Sequence, residues 1–383
     1  MTDTTRPTVV LAGGGHTHAL ILKRLQKGQK PPAHFVLVSA SRYTAYSGML
    51  PGVISGHYTA EQSHIDLELL ANESKCTFVR ATLSGVDTEA NELILENGNR
   101  LQYDILSINT GSTQARVIDA KDIISIKPIG SFLFWLNQLL PEHIKQNDSF
   151  TLVIMGAGAA GIEVALALHQ RFEHLHSLKI HIVTTRGIMP GHPIKVQKMV
   201  IEEIERKPIK IHTNFRVTNV KDKTLTSDQN EHLRYDALIL ATPAAPARWP
   251  SESTLATSSQ GFIQVNSTLR SISHDNVFAC GDIAEFIHSK LVKSGVYAVR
   301  QAPVLFQNIS NLLEKKTLEP YRPQNQFLSL LSCADGRAIA SRGCFTARGR
   351  LIWLWKDWID RRFMAQFPLP APGSMELSAS IQS

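Results

Sequence analysis

Three short segments hold the residues whose types and spacing point to chemistry. Gly156-x-Gly158-x-x-Gly161 follows the apolar run Thr151–Met155 and opens a helical pattern from Ile162 to Phe172. In such a turn the first glycine allows a tight bend and the second lets backbone N–H groups approach a pyrophosphate. The third lets the helix pack closely on the strand, and the helix N-terminus adds positive potential. A looser copy, Gly13-x-Gly15-x-x-His18, follows Thr8–Ala12. His18 replaces the third glycine, which predicts looser helix–strand packing or a shifted register, while Gly13 and Gly15 keep the two roles nearest a phosphate. The third segment, Asn276–Asp282, is a short apolar strand ending in Gly281-Asp282. A carboxylate at such a strand end accepts hydrogen bonds from sugar-like hydroxyls.

Nearby side chains refine these sites. His16 and His18 read either as metal ligands or as a polar helix start whose imidazoles meet phosphate or solvent. The second reading is the expectation, and no metal site is expected. Neither βαβ unit ends its second strand in an acid: Ser39 follows Phe35–Val38, and Thr184, Thr185 and Arg186 follow Lys179–Val183. Arg186 is either a contact for a ribose 2′-phosphate or a solvated loop residue. The four cysteines, Cys76, Cys280, Cys333 and Cys344, form no CxxC or CxxxxC pair. The usual spacings of redox disulfides and zinc ribbons are therefore absent.

The elements that must position these residues come in duplicate. Thr8–Ala12, a glycine turn, a helical pattern over His18–Leu25 and the strand Phe35–Val38 form one βαβ unit. Thr151–Met155, a second glycine turn, Ile162–Phe172 and Lys179–Val183 form another, about 140 residues on, which is domain-scale repetition. Each unit is followed by hairpin-like sequence, Glu92–Tyr103 with Asn97-Gly98 as its turn and the looser Arg216–Tyr235. Each then reaches a Tyr-Asp strand, Tyr103–Gly111 or Tyr235–Pro243. Two domains on one α/β plan are predicted. Beyond them, residues 320–345 read as strands and turns and Leu351–Phe367 as a Trp-rich amphipathic helix. The tail after Pro368 reads as loose.

A chain of 383 residues, at about 100–200 per domain, is long enough for two or three buried cores. With 43% hydrophobic and 19% charged residues it is an ordinary globular composition, not a disordered, collagenous or coiled-coil one. The net charge of +7 suits an anionic cofactor or a lipid surface, and no nucleic-acid partner is expected. No apolar stretch approaches the ~20 residues that span a bilayer. Few cysteines and a polar start predict a cytoplasmic, reduced protein.

On these motifs the chain resembles the two-dinucleotide-binding-domain flavoproteins, the pyridine nucleotide–disulfide oxidoreductase family, over roughly residues 8–310. The resemblance implies two Rossmann-like domains plus a small C-terminal α+β region. It places the FAD domain at 1–115 and 246–318, interrupted by an NAD(P)H domain at 116–245, with the C-terminal region at 319–383. It implies FAD held by Gly13, Gly15, His16, Ser39, Thr110, Gly111, Gly281 and Asp282, with Asp282 on the ribitol. NAD(P)H would be held by Gly156, Gly158, Gly161 and Arg186. Glu163 matches a position near the nicotinamide. Gln301, in Ala298–Pro303, matches the segment that meets the flavin ring. These two are the catalytic candidates.

The disulfide-reductase branch needs a CxxxxC where this chain has Tyr43–Pro51 without cysteine. The sequence looks closer to the single-subunit NADH:quinone oxidoreductases. The stretches YTAYSGMLPGVISGHY, HIDL, SINTGST and WKDWIDRRFMAQF also resemble a flavoprotein domain fused ahead of selenide, water dikinase. The expected activity is hydride transfer from NAD(P)H through FAD to a quinone or similar acceptor. The alternatives are a sulfide:quinone-type enzyme using Cys333 and Cys344, and a non-catalytic nucleotide-sensing flavoprotein docking on a selenium-handling partner. A homodimer is left open. Leu351, Leu354, Trp355, Trp358 and Ile359 share one face of the C-terminal helix. That face either meets a membrane periphery, on the inner side, or packs on the flavin domain or a second subunit. Packing is the expectation.

Overall fold

The structure, a computed structural model, describes residues 6–29, 31–114 and 123–375. The expected domain boundary at 115/116 and the last eight residues of the tail lie outside the described residues.

The chain first lays down parallel strands β1 (Thr8–Ala12), β2 (His34–Ser39), β3 (Thr77–Arg80) and β4 (Ile105–Ile108). Helix α1 (His16–Gln26) connects the first two. β1 and β4 are almost wholly buried, which is why Val, Leu and Ile run through them without alternation. A second sheet follows, from β5 (Ile123–Ser125), β6 (Phe150–Met155), β7 (Leu178–Val183), β8 (Ile209–His212) and β9 (Ala237–Leu240), with helix α2 (Ala159–Phe172) after β6. The chain then returns to the first sheet with β10 (Val277–Ala279), which pairs with β4.

The strand orders are β10-β4-β1-β2-β3 and β5-β9-β6-β7-β8, and every pairing within them is parallel. Both sheets reverse direction of growth beside the strand that precedes a glycine turn, β1 in one and β6 in the other. That is the switch point where α/β sheets bind ligands. The fold is thus the α/β pair of Rossmann-like sheets expected.

The repeated Tyr-Asp signature has a structural cause. The β1 start donates Thr8 N–H to Asp104 Oδ2 at 2.6 Å, and the β6 start donates Thr151 N–H to Asp236 Oδ2 at 2.7 Å. The two aspartates register the central strand of each sheet against its neighbour.

Helix α3 (Gly295–Leu313) packs against α1. The C-terminal part is a meander of β11 (Ser329–Ser332), β12 (Ala338–Arg342) and β13 (Phe345–Gly349), followed by helix α4 (Arg350–Met364). Within the chain, α4 does not pack its apolar face on the flavin domain as expected. Its buried residues are Lys356, Asp360 and Met364, while Leu351 is 80% and Trp358 54% exposed. The polar face docks because the segment Tyr46–Tyr58 offers it specific partners. Lys356 donates to the Gly48 carbonyl at 2.6 Å, Tyr46 to Asp360 at 3.2 Å and Tyr58 to Asp357 at 2.5 Å.

Up to residue 375 the tail lies along the first domain: the Pro368 carbonyl accepts from Asp66 N–H at 2.9 Å, Gly373 N–H donates to Glu61 at 3.2 Å, and Met375 reaches the cleft described below.

Candidate functional site

At the switch point of the first sheet lies a cleft of about 560 Å³. Its floor is the carboxyl ends of the strands. Ala40 and Ser41 come after β2, Arg80 from β3, Asn109–Thr113 after β4, and Gly281 and Asp282 after β10. His16 enters from α1, Gly295 and Ala298 from α3, and Lys127–Ser131 from the lead into the second sheet's unit. Gly15 caps α1 with no side-chain hydrogen bond, and His16, the first residue of the helix, lines the cleft.

The glycines are required sterically. Gly13 has φ +100°, and a Cβ on it would stand 2.5 Å from the Asn109 carbonyl. A Cβ on Gly15 would stand 2.1 Å from Asn109 Oδ1.

Several expected residues meet here: His16, Thr110, Gly111, Gly281 and Asp282. Asp282 Oδ2 receives Lys127 Nζ at 3.1 Å and Ser112 Oγ at 3.3 Å. Gln301 lies on α3 and accepts the Gly281 N–H at 2.7 Å, which supports the Gly-Asp turn from behind.

Ser39 is buried at the end of β2, its hydroxyl donating to the Ser41 carbonyl at 2.9 Å, with Ala40 and Ser41 in the cleft wall beside it. One expectation needs correction. His18 meets neither phosphate nor solvent. It is fully buried, with Nδ1–H donated to the Gly13 carbonyl at 2.7 Å and Nε2 accepting from Ser107 at 2.8 Å. Burial lowers its pKa to about 4, so it is a neutral imidazole that pins the glycine turn. The residue that breaks the glycine motif therefore braces it.

The cleft's polar inventory fits a nucleotide cofactor. His16 Nε2 and Asn109 Oδ1 are buried without a hydrogen-bond partner among the described residues, and both residues line the cleft. Burial lowers the His16 pKa against the opposing charge of Asp282.

The second glycine turn is built more tightly. Gly156 has φ +124°, and its Cβ would stand 2.4 Å from the Ala241 carbonyl. On Gly161 a Cβ would sit 1.9 Å from the Gly156 carbonyl. Gly158 differs, because nothing lies within 4 Å of its Cβ position. The protein leaves this space open, as a cradle for a phosphate requires. Arg186 lies exposed just beyond β7. A further cavity of about 760 Å³ is shared by Pro243 and Ala244, after β9, and by Gly281, Asp282 and Gln301. Lys293 in its wall donates to the Ala284 carbonyl and stands 3.8 Å over the Phe262 ring. Burial pulls the Lys293 amine down to about 8.

Glu163, on α2, faces the C-terminal meander. Its Oε1 accepts the Ser332 N–H at 2.7 Å. Burial raises its pKa to about 7, against the opposing charge of Lys356. Lys356 in turn pairs with Asp360 at 2.5 Å, both buried at 7% and 4% exposure. Burial and the Asp360 charge push the Tyr46 phenol above its ordinary range. The Tyr46 ring stands 5.5 Å from His16 and 4.6 Å from Phe363. A polar and aromatic chain thus runs from Lys356 and Asp360 on α4 to the cleft, with Glu163 within reach of the Lys356 charge.

Lys127, Asn109, Tyr46, Lys356 and Asp360 were not among the sequence candidates. Asn109, Tyr46, Lys356 and Asp360 lie inside stretches that carried the resemblance but were given no role of their own, and Lys127 lies outside them. Cys333 is buried with its thiol pushed up to about 12, Cys344 is exposed, and all four cysteines are free. A thiol like that of Cys333 is a poor nucleophile.

A family model described as pyridine nucleotide-disulphide oxidoreductase matches residues 7–302. Ferroptosis suppressor protein 1 of Taeniopygia guttata is 24% identical over 349 residues, covering 86% of this chain and 87% of that protein. The sulfide:quinone oxidoreductase of Aquifex aeolicus superposes with a TM-score of 0.78 at 15% identity, over 94% of this chain and 92% of that one. NDH2 of Plasmodium falciparum, solved in complex with NADH, gives 0.78 at 15% identity over 94% and 97%. Among the described residues no helix is long and apolar enough to cross a membrane.

Proposed function

The chain belongs to the pyridine nucleotide-disulphide oxidoreductase family, and from that premise we propose an FAD-dependent enzyme that passes hydride from NAD(P)H to a quinone or similar acceptor. The observation that carries this reading is the pair of glycine cradles at two equivalent switch points, the first of which holds unpartnered polar groups beside Asp282. FAD bound in the first cradle would supply the two-electron redox chemistry. The α1 N-terminus and the Gly13–Gly15 backbone receive the pyrophosphate, His16 and Asn109 gain the partners they lack, and Asp282 accepts from hydroxyls. Gly156, Gly158 and Gly161 receive the dinucleotide, and Arg186 stands where a 2′-phosphate would lie. The acceptor is drawn from the name of the Aquifex relative and the electron donor from the ligand of NDH2.

A proton must also be supplied. Hydride carries two electrons and one proton, whereas reducing a quinone to a quinol consumes two electrons and two protons. Glu163 holds or releases a proton near pH 7, and Lys356, Asp360 and Tyr46 link its surroundings to the cleft. We assign Glu163 this role, with Gln301 positioning the Gly281–Asp282 turn. The exposed Leu351, Leu354, Trp355 and Trp358 face, flanked by exposed Arg361 and Arg362, is read as a surface that lies on lipid, from which a quinone enters.

The test is anaerobic spectroscopy of the purified chain. A flavin spectrum bleached by NADH or NADPH, restored by a soluble quinone and unaffected by sulfide, supports the proposal. A colourless protein, or a flavin that neither nucleotide reduces, overturns it.

A further inference from the structure

Lys127 stands where three remote parts of the chain converge. Ser112 follows β4, Lys127 follows β5, and Asp282 follows β10, and all three line the cofactor cleft. Lys127 Nζ is 3.1 Å from Asp282 Oδ2 and 3.2 Å from Ser112 Oγ, and Ser112 Oγ donates to that same Oδ2 at 3.3 Å. Two donors on one oxygen remove the rotation a short carboxylate otherwise keeps. Asp282 Oδ1 takes part in neither contact and is the acceptor the carboxylate offers to a ligand hydroxyl.

We propose that Lys127, with Ser112, is the positioning residue for Asp282. It keeps the carboxylate turned, so that Oδ1 receives a hydroxyl of the bound cofactor's polyol chain. This rests on the reading that FAD occupies the cleft. Lys127 directly precedes Pro128, the N-cap of the helix Ile129–Phe134 that leads into the second sheet's unit. The contact therefore ties that unit to the grip on the first cofactor.

The pair's own exposure says where its effect lies. Lys127 is 39% exposed at its side chain, and such a pair contributes little to folding. Its effect falls on ligand affinity, because a carboxylate fixed in advance loses no freedom when the ligand arrives.

The experiment dilutes the full-length flavin-loaded protein and records the fluorescence of released FAD. Lys127→Met is expected to raise the FAD dissociation constant about tenfold, and Ser112→Ala about threefold, since each removes one donor from a charged acceptor. Lys127→Arg, which keeps the charge, returns the constant to within about threefold of the parent. Melting temperatures in excess FAD stay together across the set. Flavin release by Lys127→Met within twofold of the parent, alongside clear release by Asp282→Ala, overturns the inference and leaves the FAD reading standing. Full flavin retention by Asp282→Ala overturns the FAD reading and this inference with it. Should Lys127→Met fail to fold, Ser112→Ala decides on the same measure, no change in release counting against the proposal.

Discussion

Replacing Glu163 by Gln removes a charge that the fold holds at a disadvantage, and the size of that disadvantage follows from the structure. The Glu163 carboxyl is raised from an ordinary value of 4.5 to about 7, burial outweighing the attraction of Lys356. A carboxyl with a raised folded pKa binds its proton more tightly when folded. Its contribution is present in full below pH 4.5 and is lost as pH rises through about 7. At about 1.4 kcal/mol per pKa unit, the parent loses on the order of 3 kcal/mol across that window through this group. Gln retains the acceptor for the Ser332 N–H and carries no charge to desolvate. Glu163→Gln should therefore match the parent near pH 4.5 and gain stability over it progressively up to about pH 7. Above that the gap stays constant at up to about 3 kcal/mol. Urea unfolding of both flavin-loaded proteins at a series of pH values measures the gap, and subtraction removes every other titrating group. Parallel stability–pH curves would show that Glu163 ionises in the fold as it does in water, and the assignment of a proton-holding role would fall with them. The same variant should slow quinone-dependent turnover more than flavin reduction by NAD(P)H, as stopped-flow kinetics can separate.

Gly158→Val should fold and keep its flavin yet lose reduction by NAD(P)H, because its Cβ meets no protein atom within 4 Å and only a ligand would collide. Reduction at the parental rate would show that the second cradle is not used. Asp282→Ala should lower flavin occupancy, read from the ratio of flavin to protein absorbance, through loss of a hydrogen bond to a charged group worth roughly 1.5–3 kcal/mol. Arg186→Ala should weaken NADPH more than NADH in reductive titrations, and an equal effect would exclude a 2′-phosphate contact. Trp355→Ser with Trp358→Ser should leave the melting temperature nearly unchanged, since both side chains are exposed. The double variant should abolish salt-sensitive co-sedimentation with anionic vesicles. Persisting vesicle binding would refute the lipid reading of α4.

Much of the site is legible in the amino-acid sequence wherever local rules suffice. The two glycine turns announce themselves because only glycine tolerates φ +100° at Gly13 and φ +124° at Gly156 with a carbonyl against the Cβ position. The duplicated strands announce themselves because strands buried on both faces must be apolar throughout. Gly281-Asp282 becomes readable through its order after two such units. The bond from the Ser39 hydroxyl to the Ser41 carbonyl at the end of β2 is one that no spacing rule encodes.

The helix α4 marks the boundary of what sequence alone decides. Its periodicity correctly marks an apolar stripe and a polar one, and burial by hydrophobicity alone would turn the apolar stripe inward. The structure turns it outward, because Lys356 and Asp360 are satisfied by Gly48 and Tyr46, groups some 300 residues away in the chain. The same holds for His18, whose partners are Gly13 and Ser107, and for the Lys127–Ser112–Asp282 contact. Sequence by itself determined which turns must be glycine, which strands must be buried and that the plan repeats, since those follow from backbone sterics and side-chain periodicity within a few residues. Only the tertiary structure decided which charges are buried, which carboxyl titrates near pH 7 and which helix face stays exposed. Those properties belong to the distant groups that surround each residue, and a buried charge is stable only where such partners have been brought to it.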